Sequence, residues 1–158
     1  MKMAFRYLSA ALALSGCATT LSAGSLDGVY RGSGLLEMTI TQPAVRELPP
    51  ESTNAMVTLA SGQGGRMAAN VRFNANGNQC TLVGTQYGSE FVLDPGQICR
   101  GLIEYERYNI DAYLRVTDAR GAVTGATVSL RMTGTVDAEH VDGSRNLGNA
   151  RWSMQGGR

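Results

Sequence analysis

The chain has 158 residues, 14 of them basic and 13 acidic, with one histidine and three cysteines. That is the size of one domain, long enough to bury roughly two thirds of its unfolded surface. Charges so nearly balanced exclude an electrostatic nucleic-acid binder and a polybasic membrane patch, and no nucleic-acid partner is expected.

Residues 1–16 have the layout of an export signal: Lys2 and Arg6 are basic, Tyr7 to Leu14 is mostly apolar, and Ser15 and Gly16 are small. The apolar stretch is too short to span a bilayer, which takes about 20 residues. The run Leu14-Ser15-Gly16-Cys17 resembles the lipobox of bacterial lipoproteins. The resemblance implies cleavage before Cys17, a diacylglyceryl group on its thiol and an acyl chain on its freed amine. This covalent lipid is the only cofactor-like group expected, and the membrane is the first partner it supplies. One acyl chain anchors marginally, at about 0.8 kcal/mol per buried methylene, whereas two or three hold effectively permanently. Ala18 stands where many lipoproteins kept in the inner membrane have Asp, which implies the outer membrane, facing the periplasm or the cell surface.

Lys2 and Arg6 account for two of the 14 basic residues; the 142 residues left after cleavage carry 12 arginines, no lysine and 13 acidic residues. Cys17 and the small, polar residues 18–26 read as lipid anchor and flexible tether, and the folded domain is expected to span 27–158.

From Asp27 onward the pattern is two-residue alternation punctuated by Gly and Asn. Leu36, Met38 and Ile40 predict an opening strand. Residues 42–54, with three prolines, predict a stiff surface loop. Ala55 to Ala60 follows as a strand, and Met67, Ala69, Val71 and Phe73 alternate into Asn76-Gly77, a hairpin turn leading to Cys80-Thr81-Leu82-Val83. Reversals are expected at Tyr87-Gly88-Ser89 and Asp94-Pro95-Gly96-Gln97, flanking Glu90 to Leu93. Ile110, Ala112, Leu114 and Val116 alternate with polar residues, and Asp118-Ala119-Arg120-Gly121 reads as the turn of a long hairpin over 109–136. Ala126, Val128, Leu130, Met132, Gly134 and Val136 form one face of its second arm, opposite Thr127, Ser129, Arg131, Thr133 and Thr135. Ala150, Trp152 and Met154 close the chain. No helical periodicity follows residue 17, so the expectation is all-β: a single antiparallel barrel or sandwich of eight or nine strands. A barrel would pair the N-terminal strand with the C-terminal one and leave no edge.

An exported protein meets an oxidising compartment, where Cys80 and Cys99 are expected to close a disulfide. Reactive thiols and metal ligands are the alternatives, and no CxxC spacing or companion histidine supports either. His140 lies in Asp137-Ala138-Glu139-His140-Val141-Asp142-Gly143, which does not match the calcium-loop pattern and reads as a solvated turn; no metal site is expected. Glu104, Glu106 and Asp111 offer carboxylates but no sugar cleft, Gly-x-Ser-x-Gly is absent, and the glycines at 62, 64 and 65 precede no helix. No catalytic residue is assigned and no enzyme is expected. Tyr105, Arg107 and Tyr108 form the candidate binding surface, because tyrosines combine apolar area with a polar tip; cross-strand packing is their competing role.

Leu26-Asp27-Gly28-Val29-Tyr30-Arg31-Gly32 resembles the first strand of lipocalin-like barrels, without the tryptophan usual there. A disulfide-stapled exported barrel is also similar to periplasmic inhibitors of lysozymes or proteases. Neither resemblance carries site residues. The expected function is a non-enzymatic, outer-membrane-anchored lipoprotein that binds a small ligand or an envelope protein, with inhibition of a lysozyme or protease as the alternative and hydrolysis as a remote third. A side-chain-filled interior would argue against a carrier.

Overall fold

A computed structural model describes residues 25–73, 78–105 and 108–158, with side chains at 102–109 outside the description. The strands are β1 (Gly28–Gln42), β2 (Arg46–Glu47), β3 (Glu51–Ser61), β4 (Arg66–Arg72), β5 (Gln79–Tyr87), β6 (Glu90–Leu93), β7 (Ile98–Tyr105), β8 (Tyr108–Thr124), β9 (Thr127–Glu139) and β10 (Arg145–Gly157), with a single 3-10 turn at Gln63–Gly65. All ten belong to one antiparallel sheet that closes where β1 pairs with β10, so the fold is a barrel and the chain-end pairing expected of one is present.

Ten strands fill eight wall positions. β2 is a two-residue strand folded back on Thr39 and Ile40 of β1. β6 and β7 are both antiparallel to β8, at Leu93↔Ala119 and Ile98↔Arg115, so they run in the same direction. Asp94-Pro95-Gly96-Gln97 is therefore a jog within one wall position and not the reversal its Pro-Gly pair suggests. It stays bonded to β8, with the Gly96 N–H donating to Val116 O at 2.7 Å and the Val116 N–H to Gln97 O at 2.9 Å.

Following register partners from Ser61 through Met67, Gly84, Leu93, Ala119, Met132, Trp152 and Leu36 returns to β3 at Glu51, ten residues from the start. Such stagger tilts the strands, and an eight-strand barrel has an interior that side chains fill or that holds one small ligand. Among the described residues, side chains pack much of it. Tyr30, Val57, Leu59, Val71, Leu82, Phe91, Val116, Val128, Met132 and Trp152 belong to one buried cluster. Above the cluster, Leu36, Phe73 and Leu114 pack against it while only partly buried.

Two features correct the sequence reading of β8. Thr117 is an extra residue against β9, since Val116 pairs with Gly134 and Asp118 with Thr133. The bulge switches the inward phase from even to odd positions, so Ala119 and Val123 are buried and the strand continues through 118–121. Gly121 is where the ring of Phe91 lies, and a Cβ there would meet Phe91 Cζ at 2.2 Å. The true turn is Gly125-Ala126, with Gly125 at φ +60, so Ala126 is a turn residue rather than the start of the inward face.

The proline-rich loop is shorter than expected, because Glu51 to Asn54 already pair with Leu36 to Ser33. At the other end of the barrel the body begins before Asp27: Leu26 is 1% exposed and part of the core. The buried Tyr30 hydroxyl donates to Leu26 O at 2.9 Å and accepts from Arg158 Nη2 at 2.7 Å, while Arg158 Nη2 also donates to Ser25 O at 2.7 Å. Entry and exit of the chain thus share one end of the barrel.

Candidate recognition surface on the outer wall

Each expected site residue has a definite place. Cys80 and Cys99 form the disulfide, with Cα atoms 5.2 Å apart. It joins β5 to β7, which share no backbone ladder among the described residues. The side-chain amide of Gln97 bridges the same seam: its Oε1 accepts from the Val83 N–H at 2.8 Å, and its Nε2 donates to Val83 O at 2.9 Å and Asp94 O at 2.7 Å. Gln97 thereby gives the Val83 N–H the acceptor that a neighbouring strand would, while Val83 O also accepts from the Asp94 N–H at 2.9 Å.

Cys17 and Arg107 lie outside the described residues, as do the side chains of Tyr105 and Tyr108, whose backbones pair at the β7–β8 tip. Glu106 lies outside too, and Glu104 is described by backbone alone, opposite Asn109. Asp111 accepts from Arg100 Nη2 at 3.1 Å on the exposed face. His140 is in the β9–β10 connection, its Nε2 2.7 Å from Asn146 Nδ2 and its backbone N–H bonded to Ser144 O at 2.8 Å. Asp142 caps that turn through Ser144, whose hydroxyl holds the carboxyl below its usual range. Asp111 and Asp142 are thus each engaged by a neighbouring side chain.

Two concave surfaces formed by described residues lie on the outside of the β8–β9–β10–β1 wall. Alternation sends the apolar residues of these strands inward and leaves Ser, Thr, Asn, Gln and Arg outward. One register row runs Ser52, Leu35, Ser153, Arg131, Arg120, and the next runs Asn54, Ser33, Gln155, Ser129, Ala122. All but Asn54 and Ala122 of these residues line a groove of about 830 Å³. A second groove, of about 550 Å³, lies between Glu47, Leu48 and Pro50 of the β1–β3 connection and Thr133, Thr135, Asn149 and Arg151. The Leu48 N–H holds that connection down by bonding to Met38 O at 3.0 Å.

Electrostatically the larger groove is uneven. Arg120 Nε donates to Asp118 Oδ1 at 2.9 Å, whereas Arg131, directly opposite Arg120 across the β8–β9 ladder, makes no ion pair or hydrogen bond with a described residue. The sequence exposed only part of this surface: the polar face of β9 was visible, but Arg120, Arg131, Ser153 and Ser52 become neighbours only through the register of four pairings.

No protein-family model matches the chain, and no curated protein matches it. Among solved structures it is similar to a protein of unknown function of the DUF3598 family from Nostoc punctiforme (12% identity, TM-score 0.38), covering 87% of this chain and 49% of that one. It thus spans about half the length of the Nostoc protein. The ywiB protein of Bacillus subtilis is similar at 7% identity and TM-score 0.35, over 82% of this chain and 93% of that one. Transferrin binding protein B from Haemophilus parasuis is similar at 14% identity and TM-score 0.35, over 84% of this chain and 27% of its own.

Proposed function

We propose that this protein is a lipid-anchored, non-enzymatic binding protein of the bacterial outer membrane that recognises its ligand or envelope partner on the outer wall of the barrel. The observation that supports the location of binding is the packed cluster of Tyr30, Phe91, Met132 and Trp152 inside the barrel, which favours the grooved outer surface for recognition. The anchor rests on the sequence around Cys17. A chain from Cys17 to Ser25 reaches at most roughly 29 Å, so the end carrying Ser25 and Arg158 stays within that distance of the bilayer. The non-enzymatic reading is supported by Asp111 engaging Arg100 and His140 engaging Asn146.

Two measurements test this. Cys17→Ser is expected to abolish incorporation of labelled palmitate while leaving the disulfide-bonded domain folded, and a labelled variant would remove the anchor from the proposal. For the wall, Ser153→Cys is expected to react with a maleimide at least fivefold more slowly in isolated envelopes than as purified protein, with Val83→Cys on β5 reacting equally in both. Equal behaviour of the two positions would overturn recognition on this wall.

A further inference from the structure

We infer that the larger outer groove binds a sugar bearing a phosphate or carboxylate group, with Arg131 holding the acid and Ser129, Ser153 and Gln155 meeting the sugar hydroxyls. This rests on the outer wall being the recognition surface and gives it a ligand class.

The charge argument comes first. Arg120 and Arg131 are direct cross-strand partners, and like charges at that position destabilise a sheet. Asp118 answers one of the two guanidinium groups, and the other has no described partner. A ligand anion beside Arg131 removes the repulsion and finds a planar fork matched to a phosphate or carboxylate.

The neighbours of Arg131 then narrow the class. Ser153 is its direct partner on β10, and Gln155 and Ser129 pair with each other in the adjacent row. None of these three side chains bonds to a described residue. Each both donates and accepts, as a sugar hydroxyl does. Ser129 and Gln155 sit on neighbouring strands about 4.8 Å apart, and Ser153 lies two residues along β10 from Gln155, about 7 Å away. A bare inorganic anion would use the guanidinium and leave them idle. The groove lining contains no aromatic side chain, so a neutral sugar has no ring to stack on and the acid must supply the affinity. The volume, about 830 Å³, is within the range of small-molecule sites.

Calorimetric titration of the full-length protein at constant ionic strength tests this with four probes: glucose 6-phosphate, glucuronate, glucose and inorganic phosphate. At least one of the two acidic sugars is expected to bind tenfold or more tightly than both glucose and inorganic phosphate. Arg131→Ala is expected to weaken that binding at least tenfold and Ser153→Ala severalfold, with Arg72→Ala on β4 unchanged. Arg131 is exposed and opposes Arg120, so its variant should unfold at the wild-type midpoint or slightly above it. Acidic sugars binding no tighter than inorganic phosphate, or indifference to Arg131→Ala, would overturn the inference. The maleimide protection at Ser153 would survive that result, separating a wrong ligand class from a wrong wall.

Discussion

The two walls of the barrel are closed by different means. On one side β9 and β10 pair without interruption from Thr127↔Gly157 to Glu139↔Arg145, and β10 continues into β1 over almost its whole length. On the other, the ladder between β5 and β6 stops at Gly84↔Leu93, and beyond it the β5–β7 seam is held by Gln97 and the Cys80–Cys99 disulfide. A continuous ladder satisfies its own backbone groups, so its outward side chains are left to meet other molecules. A broken one commits side chains to replacing the missing bonds. The grooves lie on the wall whose neighbouring strands are all joined by ladders, with register shifts only at Thr117 and between Ile40 and Gln42.

Substitutions can separate these two modes of closure. The largest effect is expected on the inner face of the regular wall, where Trp152 is 1% exposed and packs edge-on against Phe73 with ring centroids 5.2 Å apart. Trp152→Ala should cost about 3–5 kcal/mol, measured by urea unfolding of the purified protein. A loss below about 1 kcal/mol would mean that the core tolerates collapse around this ring and that the wall, rather than its packing, carries the stability.

Next comes the staple. Replacing both cysteines, Cys80→Ala with Cys99→Ala, should lower stability by about 3 kcal/mol, as a closed loop of this length predicts. Hydrogen exchange should rise first in β5 and β7, with β9 and β10 still protected. Uniform loss of protection would show that the seam is no weaker than the rest of the ring. Gln97→Ala should cost less, about 1 kcal/mol, because Val83 is exposed and the backbone groups Gln97 serves can turn to water. Its effect should be localised to the same seam, and exchange changes in β9 would argue against that role.

What was legible in the chain follows the same division. Val128, Leu130, Met132 and their polar neighbours gave the regular wall directly, since an uninterrupted strand keeps its period from end to end. The irregular features misled for physical reasons. The bulge at Thr117 reverses the phase of β8, which made Asp118 to Gly121 look like a turn. Pro95-Gly96 signals a local bend, but whether the chain then reverses depends on β8 holding β6 and β7 in line. The disulfide was readable from cysteine count and compartment, whereas the amide bridge of Gln97 was not, because one glutamine in a turn has no pattern. The outer grooves were the least legible, being assembled from strands as distant in sequence as Ser52 and Ser153.

The smallest expected effect is the response to acid. Asp94 sits in the jog between β6 and β7, where the hydrogen bond from Arg66 of β4 holds its carboxyl below the ordinary range; Asp27 is lowered by the Ser61 hydroxyl and N–H, and Asp142 by Ser144. A carboxyl depressed in the folded state contributes stability that is fully present above its unfolded pKa of about 3.9 and is lost as pH falls through the lower folded value. Because these groups are solvent-screened, the loss should be modest, visible as a fall in urea midpoint below pH 4 and flat from pH 5 to 7. Asp94→Asn should flatten part of that fall, and Asp142→Asn, in a turn joining two strands of the continuous wall, should flatten a comparable part. Since Asp94 also helps fix the jog that positions Gln97, its substitution alone should raise hydrogen exchange at Val83. If exchange there is unchanged, the Arg66–Asp94 pair is surface decoration and the seam depends on Gln97 and the disulfide by themselves.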